Sequence, residues 1–327
     1  MRIALDAMGG DFAPQVLVEG AYIAKDNLDV ELVLVGDEAK IREIAGNREL
    51  PFEIIHTEEA IQMNEHPAQA VKSKKRASLV LAVEMLRDKQ VDAVVSAGNT
   101  GAFVACASLI LDTISGIERP SIGITIPTLN HPVFIIDTGA NIDCKPVYLY
   151  QFAIMGMSYS HSILGIDNPR VGLINIGSEE TKGNSLTKST YTILKSIPNF
   201  VGNIEGNDIF ENKADVVVCD GFIGNVLLKF AEGFAYTFER MIRGALADSV
   251  IPRSAKIFVD NAINNAFSIY DFSEYGGTPL LGINGVCIVA HGRSNAKAIY
   301  NSIKVAKKSV ESNLLKEIEK GVASYVR

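Results

Sequence analysis

The sequence predicts an α/β protein: a mainly parallel sheet with helices on both faces, three layers in all. Three observations carry that prediction. Short β-branched runs bounded by glycine alternate with amphipathic stretches along all 327 residues. The run Val216–Val218 is apolar without alternation, the mark of a strand buried on both faces. One unit, strand then glycine turn then helix, recurs at 2–11 (R-I-A-L-D-A-M-G-G-D), from 91 (V-D-A-V-V-S-A-G-N-T-G-A-F-V-A-C) and at 214–230 (A-D-V-V-V-C-D-G-F-I-G-N-V-L-L-K-F). In the last copy Asp220-Gly221 and Gly224-Asn225 read as the turn. Val226, Leu227, Phe230 and Phe234 then form the apolar side of the helix that follows.

In chain order, residues 14–25 read as a helix, 30–35 as a strand closed by Gly36-Asp37, 38–45 as a helix and 52–56 as a strand. Residues 63–78 (M-N-E-H-P-A-Q-A-V-K-S-K-K-R-A-S) hold the densest basic cluster, Lys72, Lys74, Lys75 and Arg76. It is either a solvated charged face or a site for an anion or acidic partner. Strands at 121–126 and 133–136 pair around the turn Asn130-His131, and D-T-G-A-N-I-D-C (137–144) follows directly. A helix at 148–162, a strand at 171–176, the loop G-S-E-E-T-K-G-N-S (177–185), a helix at 186–195 and extended chain at 201–208 lead to the central unit. Two amphipathic stretches, 239–251 and 255–270, break at Pro252 and predict a projecting helical hairpin over 239–270. The chain closes with Y-G-G-T-P-L-L-G-I-N-G (275–285), a strand at 286–290, H-G-R-S (291–294) and a polar helix. No linker interrupts it, so residues 1–327 are expected to form a single two-lobed domain.

Composition excludes several function classes. Apolar residues make up 47%, enough for a sizeable core. A net charge of −7 argues against a nucleic-acid binder that relies on overall charge. Cys106, Cys144, Cys219 and Cys287 form no CxxC pair, so neither zinc nor a disulfide framework is expected. Met1-Arg2 leads straight into a strand without a signal-peptide pattern, and no apolar run reaches membrane-spanning length. A cytoplasmic protein is expected.

Taken in order, the strand-end motifs are D-A-M-G-G-D (6–11), S-A-G-N-T-G-A (96–102), D-T-G-A-N-I-D-C (137–144), K-G-N (182–184), G-N-I-E-G-N-D (202–208), D-G-F-I-G-N (220–225), Y-G-G-T-P-L-L-G (275–282) and H-G-R-S (291–294). This ordered set resembles the PlsX family, the phosphate acyltransferases of bacterial phospholipid synthesis, from the first residue past His291. The resemblance implies an isocitrate/isopropylmalate-dehydrogenase-like fold, a homodimer and peripheral attachment to the inner face of the cell membrane. It implies the reaction of acyl-acyl-carrier-protein with inorganic phosphate, giving acyl phosphate and free carrier protein. A membrane glycerol-3-phosphate acyltransferase is then the expected consumer of the product.

That chemistry needs neither a catalytic serine, a metal nor an organic cofactor. Phosphate is already an anionic nucleophile and a thiolate is a tolerable leaving group, so the protein must bind, orient and stabilise an oxyanion. The resemblance points to Lys182 and Asn225 as the catalytic pair. Taken alone, Lys182 reads as a solvated loop lysine and Asn225 as a helix N-cap; the whole motif series shifts both toward the site. Asp6, Gly9, Gly10, Asn99, Thr100, Asn141 and Asp220 occupy similar strand ends and are expected to line the same substrate cleft, although the aspartates are equally able to cap helices. His291 is read as structural. Lys72, Lys74, Lys75 and Arg76 are the expected docking patch for the acidic carrier protein. Leu246, Val250, Ile251 and Phe258, on the hairpin and beside cations, are the expected membrane contacts. The rival reading within the same architecture is a short-chain acyl-coenzyme A phosphotransferase of the phosphotransacetylase kind.

Overall fold

A computed structural model describes residues 1–247, 258–263 and 276–325. Among them eleven strands form one sheet, in the order β3-β2-β1-β4-β11-β10-β5-β6-β9-β7-β8. The strands are β1 (Arg2–Asp6), β2 (Glu31–Gly36), β3 (Glu53–His56), β4 (Ala93–Ser96), β5 (Ser121–Ile126), β6 (Val133–Ile136), β7 (Val171–Ile174), β8 (Phe200–Ile204), β9 (Val216–Val218), β10 (Thr278–Leu281) and β11 (Val286–Val289). Seven of the ten pairings are parallel, which is the mainly parallel sheet the alternation predicts. The exceptions cluster in the middle: β10 is antiparallel to both β11 and β5, and β5 is antiparallel to β6. Three reversals separate β11 from β6, so the two parallel blocks run in opposite directions.

The helices are α1 (Gln15–Asn27), α2 (Glu38–Ala45), α3 (Pro67–Ser73), α4 (Ser78–Arg87), α5 (Thr100–Ile110), α6 (Pro146–Tyr159), α7 (Ser185–Leu194), α8 (Gly221–Ala247), α9 (Ala296–Glu311) and α10 (Leu314–Tyr325). They pack against the sheet through separate apolar clusters. Phe103 of α5 lies beneath one face of the first block and Ile299 of α9 against the other. Phe152 of α6 fills the corresponding place in the second block.

Several expectations are corrected. The strand β10 was not anticipated within 275–285, because Gly276-Gly277 and Pro279 read as loop while the neighbours on both sides supply the ladder. The expected extended run 201–208 ends at Ile204 and turns into a 3₁₀ helix at Gly206–Ile209, with Glu205 and Asp208 each accepting from the other's backbone. The polar C-terminal helix is two helices, α9 and α10. The stretch from 239 does not begin a new helix but continues α8, a single helix of 27 residues. Of the expected hairpin, residues 248–257 and 264–270 lie outside the described residues, Val250 and Ile251 among them. No helix of the described residues is long and apolar enough to cross a membrane.

Candidate active site

A cleft of about 1140 Å³ opens between the two blocks, over the antiparallel strands that join them. One rim is built by loops leaving the first block: Asp11 after β1, Thr100 after β4 and Arg293 after β11. The opposite rim holds Arg119 before β5, Asn141 after β6 and Asn225 on α8. Helix α5 connects the rims. It starts at Thr100 and ends beside the β10–β11 turn, where the Asn284 amide donates to the Leu111 carbonyl at 3.1 Å.

Electrostatics favour an anion here. Lys72, Arg119, Lys229 and Arg293 line the cleft, against the carboxylates Asp11 and Glu232, so the site is positive in a chain of net charge −7. Lys229 is paired to Glu232 at 2.8 Å, and the Arg119 guanidinium lies 6.0 Å from the Tyr148 ring centroid. Arg293 is mostly exposed and only loosely paired, with its Nε 4.0 Å from Asp11. At the start of α5, no hydrogen bond among the described residues takes the N–H groups of Thr100 or Gly101. Cys144, in the loop after β6, offers no thiolate, because burial pushes its thiol up to about 12.

Residues 1–317 match the model of the family described as fatty acid synthesis protein. The chain belongs to that family, the PlsX family. Its relatives include a phosphate acyltransferase of Dictyoglomus turgidum, 48% identical and aligned over 98% of both chains. Among solved structures it is similar to a phosphotransacetylase from Streptococcus pyogenes, with a TM-score of 0.64 at 17% identity, covering 95% of this chain and 94% of that one. A 4-hydroxythreonine-4-phosphate dehydrogenase from Klebsiella pneumoniae is also similar, with a TM-score of 0.56 at 12% identity, covering 95% and 97%. At such identities the two structures speak for the fold alone.

Of the residues expected in this PlsX-family cleft, Thr100, Asn141 and Asn225 line it. Asn225 is exposed and its side chain makes no hydrogen bond among the described residues, leaving both amide N–H groups for a ligand. It does not close a turn. Asp220 caps α8 by accepting from the Ile223 N–H at 2.9 Å, and Asn225 stands inside the helix. The glycines before it serve close approach: a Cβ on Gly224 would stand 1.8 Å from the Asp137 carbonyl oxygen, and one on Gly221 2.7 Å from that of Asn141.

Asn141 reaches the cleft, yet its amide nitrogen already donates to the Pro120 carbonyl at 2.7 Å and to Asp137 at 2.8 Å. The organiser of this loop is Asp137, a buried carboxylate that accepts the backbone N–H groups of Ile122, Gly139, Ala140 and Asn141. Burial pushes its carboxyl above the ordinary range, against the pull of those donors. Asp137 belongs to a quoted motif but was not picked out, since nothing in sequence separates a loop-holding aspartate from a ligand-facing one.

Asp6 is a tie rather than a ligand. Only 2% exposed, it accepts from the Ser78 and Ser96 hydroxyls at 2.6 Å each and joins β1 to α4 and β4. Asn99 is spent similarly: its oxygen caps α5 through the Ala102 N–H, and its nitrogen donates to the Met63 and Glu65 carbonyls. Gly9 and Gly10 let the N-terminal loop lie on the turn after β4. A Cβ on Gly9 would stand 2.8 Å from the Gly98 nitrogen, and Gly10 has φ +107°. Asp220 and Lys182 do not line the cleft. Lys182 is exposed in the loop after β7, one strand from β9. Arg119, Lys229 and Arg293 escaped the sequence reading of the site. Arg293 sat in a quoted strand-end motif and Lys229 in the quoted unit 214–230, but neither was singled out.

Within the basic cluster, Lys74 is already engaged by Glu65 at 2.7 Å and the Ala60 carbonyl at 2.8 Å. Lys72, Lys75 and Arg76 are exposed, and Lys72 enters the cleft. On the hairpin, Leu246 is half-buried and Phe258 is 77% exposed.

Proposed function

We propose that the protein transfers an acyl group from a carrier thioester to inorganic phosphate, releasing acyl phosphate for phospholipid synthesis. The carrying observation is the positive cleft in an acidic chain of this family. A phosphate oxygen attacks the thioester carbonyl carbon, the tetrahedral oxyanion collapses, the carbon–sulfur bond breaks, and the thiolate leaves to be protonated by solvent. The cleft's cations neutralise the nucleophile, while donors held in place before reaction stabilise the oxyanion. Asn225 is the first candidate donor, since its amide is unengaged and faces the cleft. Lys182 is the second candidate, carried by the motif resemblance and not by the lining of the cleft.

The expected thioester is acyl-acyl-carrier-protein, with Lys72, Lys75 and Arg76 as its docking cations. The fold is read as isocitrate/isopropylmalate-dehydrogenase-like, and the enzyme as a cytoplasmic homodimer resting on the inner membrane face through the 239–270 hairpin. A membrane glycerol-3-phosphate acyltransferase would consume the product. Helix α8 supports the dimer reading. Phe230 and Phe234 are 71% and 58% exposed, and with Phe238 they stack in one row, with ring centroids 6.3 and 5.6 Å apart.

Phosphate-dependent release of free thiol from acyl-acyl-carrier-protein tests the reaction, with acyl-coenzyme A as the comparison substrate. Asn225→Ala and Lys182→Ala are each expected to cut acyl phosphate formation by about two orders of magnitude while leaving the protein folded. Turnover that ignores phosphate would overturn the reaction; near-normal turnover by either variant would remove that residue from the site.

A further inference from the structure

The turn after β11 brings a histidine and an arginine to the cleft. Its residues 291–294, H-G-R-S, all line the cavity, and the turn is pinned from several directions. The Ser294 N–H donates to the His291 carbonyl at 2.9 Å, and the Asp11 N–H donates to the Gly292 carbonyl at 2.8 Å. A Cβ on Gly292 would stand 2.5 Å from Met63 Cε, so the Asp11 loop and Met63 close on the turn together. Read as structural from its sequence, His291 serves the turn with one edge of its ring only. It is exposed, and its Nδ1 accepts the Arg293 backbone N–H at 3.2 Å. An accepting Nδ1 carries a lone pair, so the neutral ring holds its hydrogen on Nε2. Nε2 makes no hydrogen bond among the described residues. Arg293 gives its backbone N–H to that ring and leaves its guanidinium open, with Nε 4.0 Å from Asp11 and beyond hydrogen-bond reach.

One short turn thus offers the cleft an uncharged donor and a cationic fork two residues apart. A thioester carbonyl has a single oxygen, whereas an anion with several oxygens can meet both at once. We infer that His291 Nε2–H and the Arg293 guanidinium bind the attacking phosphate, each donating to a different oxygen. The inference rests on the acyl-transfer reading above and assigns its nucleophile to this rim, across the cleft from Asn225. His291 keeps its proton throughout. It holds and aims the phosphate, and neither takes a proton from it nor gives one to the leaving thiolate.

Steady-state kinetics of His291→Phe, His291→Gln and Arg293→Gln, with phosphate and thioester varied in turn, test the assignment. A glutamine amide reaches the place of Nε2 and still donates, while a phenylalanine ring fills the space without a donor. His291→Phe and Arg293→Gln are each expected to raise KM for phosphate at least about tenfold, the scale of a lost hydrogen bond to a charged group, and to leave KM for the thioester within about twofold. His291→Gln is expected to restore most of the phosphate affinity. In the parent, two-bond ¹H–¹⁵N NMR at about pH 8 is expected to show the His291 hydrogen on Nε2, and saturating inorganic phosphate without thioester should move the Nε2 resonance. The opposite tautomer, an unmoved Nε2 resonance, an unchanged KM for phosphate in His291→Phe, equal losses in the Phe and Gln variants, or an effect confined to thioester KM or to kcat overturns the assignment. A phosphate-dependent Nε2 shift in a protein whose thiol release ignores phosphate overturns the acyl-transfer reading and leaves the anion site standing.

Discussion

At the scale of single residues, polar side chains in this protein divide into those that hold loops and those left free. Asp215 belongs to the first kind, at the end of the sheet away from the cleft. Its carboxylate is 5% exposed and accepts from the Arg170 backbone N–H, Nε and Nη2 at 2.8, 3.0 and 2.9 Å, with His131 Nε2 at 2.7 Å. Burial alone would raise its pKa, but the Arg170 and His131 hydrogen bonds outweigh that and hold it below the ordinary range. Asp215→Ala is therefore expected to cost about 2–3 kcal/mol at neutral pH, the penalty of leaving several donors without a partner. The depressed pKa fixes the sign of the pH dependence: stability from Asp215 is complete above the unfolded value, near 4, and is lost as pH falls through the folded one. Urea unfolding at pH 7 and at pH 3 checks this, with the gap between variant and parent narrowing in acid. The division also explains what was legible. Sequence named the polar strand ends correctly but not their duties, because Asp6, Asn99 and Asn225 look alike until their partners are known. Only Asn225 has none among the described residues.

At the scale of elements, α8 concentrates the differences between expectation and structure. Its apolar period was read correctly, but Val226, Phe230 and Phe234 face outward, whereas an apolar period ordinarily marks a core face. Periodicity reports that a face is apolar, not what covers it. Phe230→Glu with Phe234→Glu is expected to turn the proposed dimer into monomers in sedimentation equilibrium without lowering the thermal midpoint of the monomer fold. A second copy at unchanged affinity would move the interface elsewhere. The start of the same helix is unforgiving. Gly224→Ala has to displace α8 from the Asp137 carbonyl, at an expected cost of about 3 kcal/mol. Since Asn225 is the next residue, turnover should fall further than stability alone explains. Strand β10 shows the opposite limit of legibility: four residues with a proline carry little local signal, and their state is decided by pairing with β11 just after them and with β5, far away in sequence.

At the scale of the whole molecule, charge is distributed against the net value. The chain carries −7, yet the cleft and the exposed cations Lys72, Lys75 and Arg76 offer positive surface to an acidic substrate. Charge reversal at Lys75 and Arg76 is expected to raise KM for the carrier protein and to flatten its dependence on salt, with kcat little changed. A salt profile identical to the parent's would place docking on another face. The α/β class and a mainly parallel sheet could be read from alternation alone; its division into two parallel blocks is seen in the strand order. The opposed directions of the blocks could not be read: the β5–β6 hairpin was legible from its turn, but the reversal also depends on β10, which was not anticipated, and on its pairing with β5, far away in sequence.

The sheet order also governs how the chain meets the ribosome. Strand β4 lies between β1 and β11, and α1 rests on α9 so closely that a Cβ on Gly20 would stand 2.6 Å from that of Ile299. The first block is thus missing an inner strand and a covering helix until residues through Glu311 have been made. A nascent chain arrested at residue 270 displays the bare edge of β4 and the uncovered apolar side of α1, features that recruit chaperones and invite mispairing. Such a chain should be cut rapidly by protease, with resistance appearing only once residues through α9 have emerged. For this topology, the first block acquires a stable fold only after the whole second block has been made.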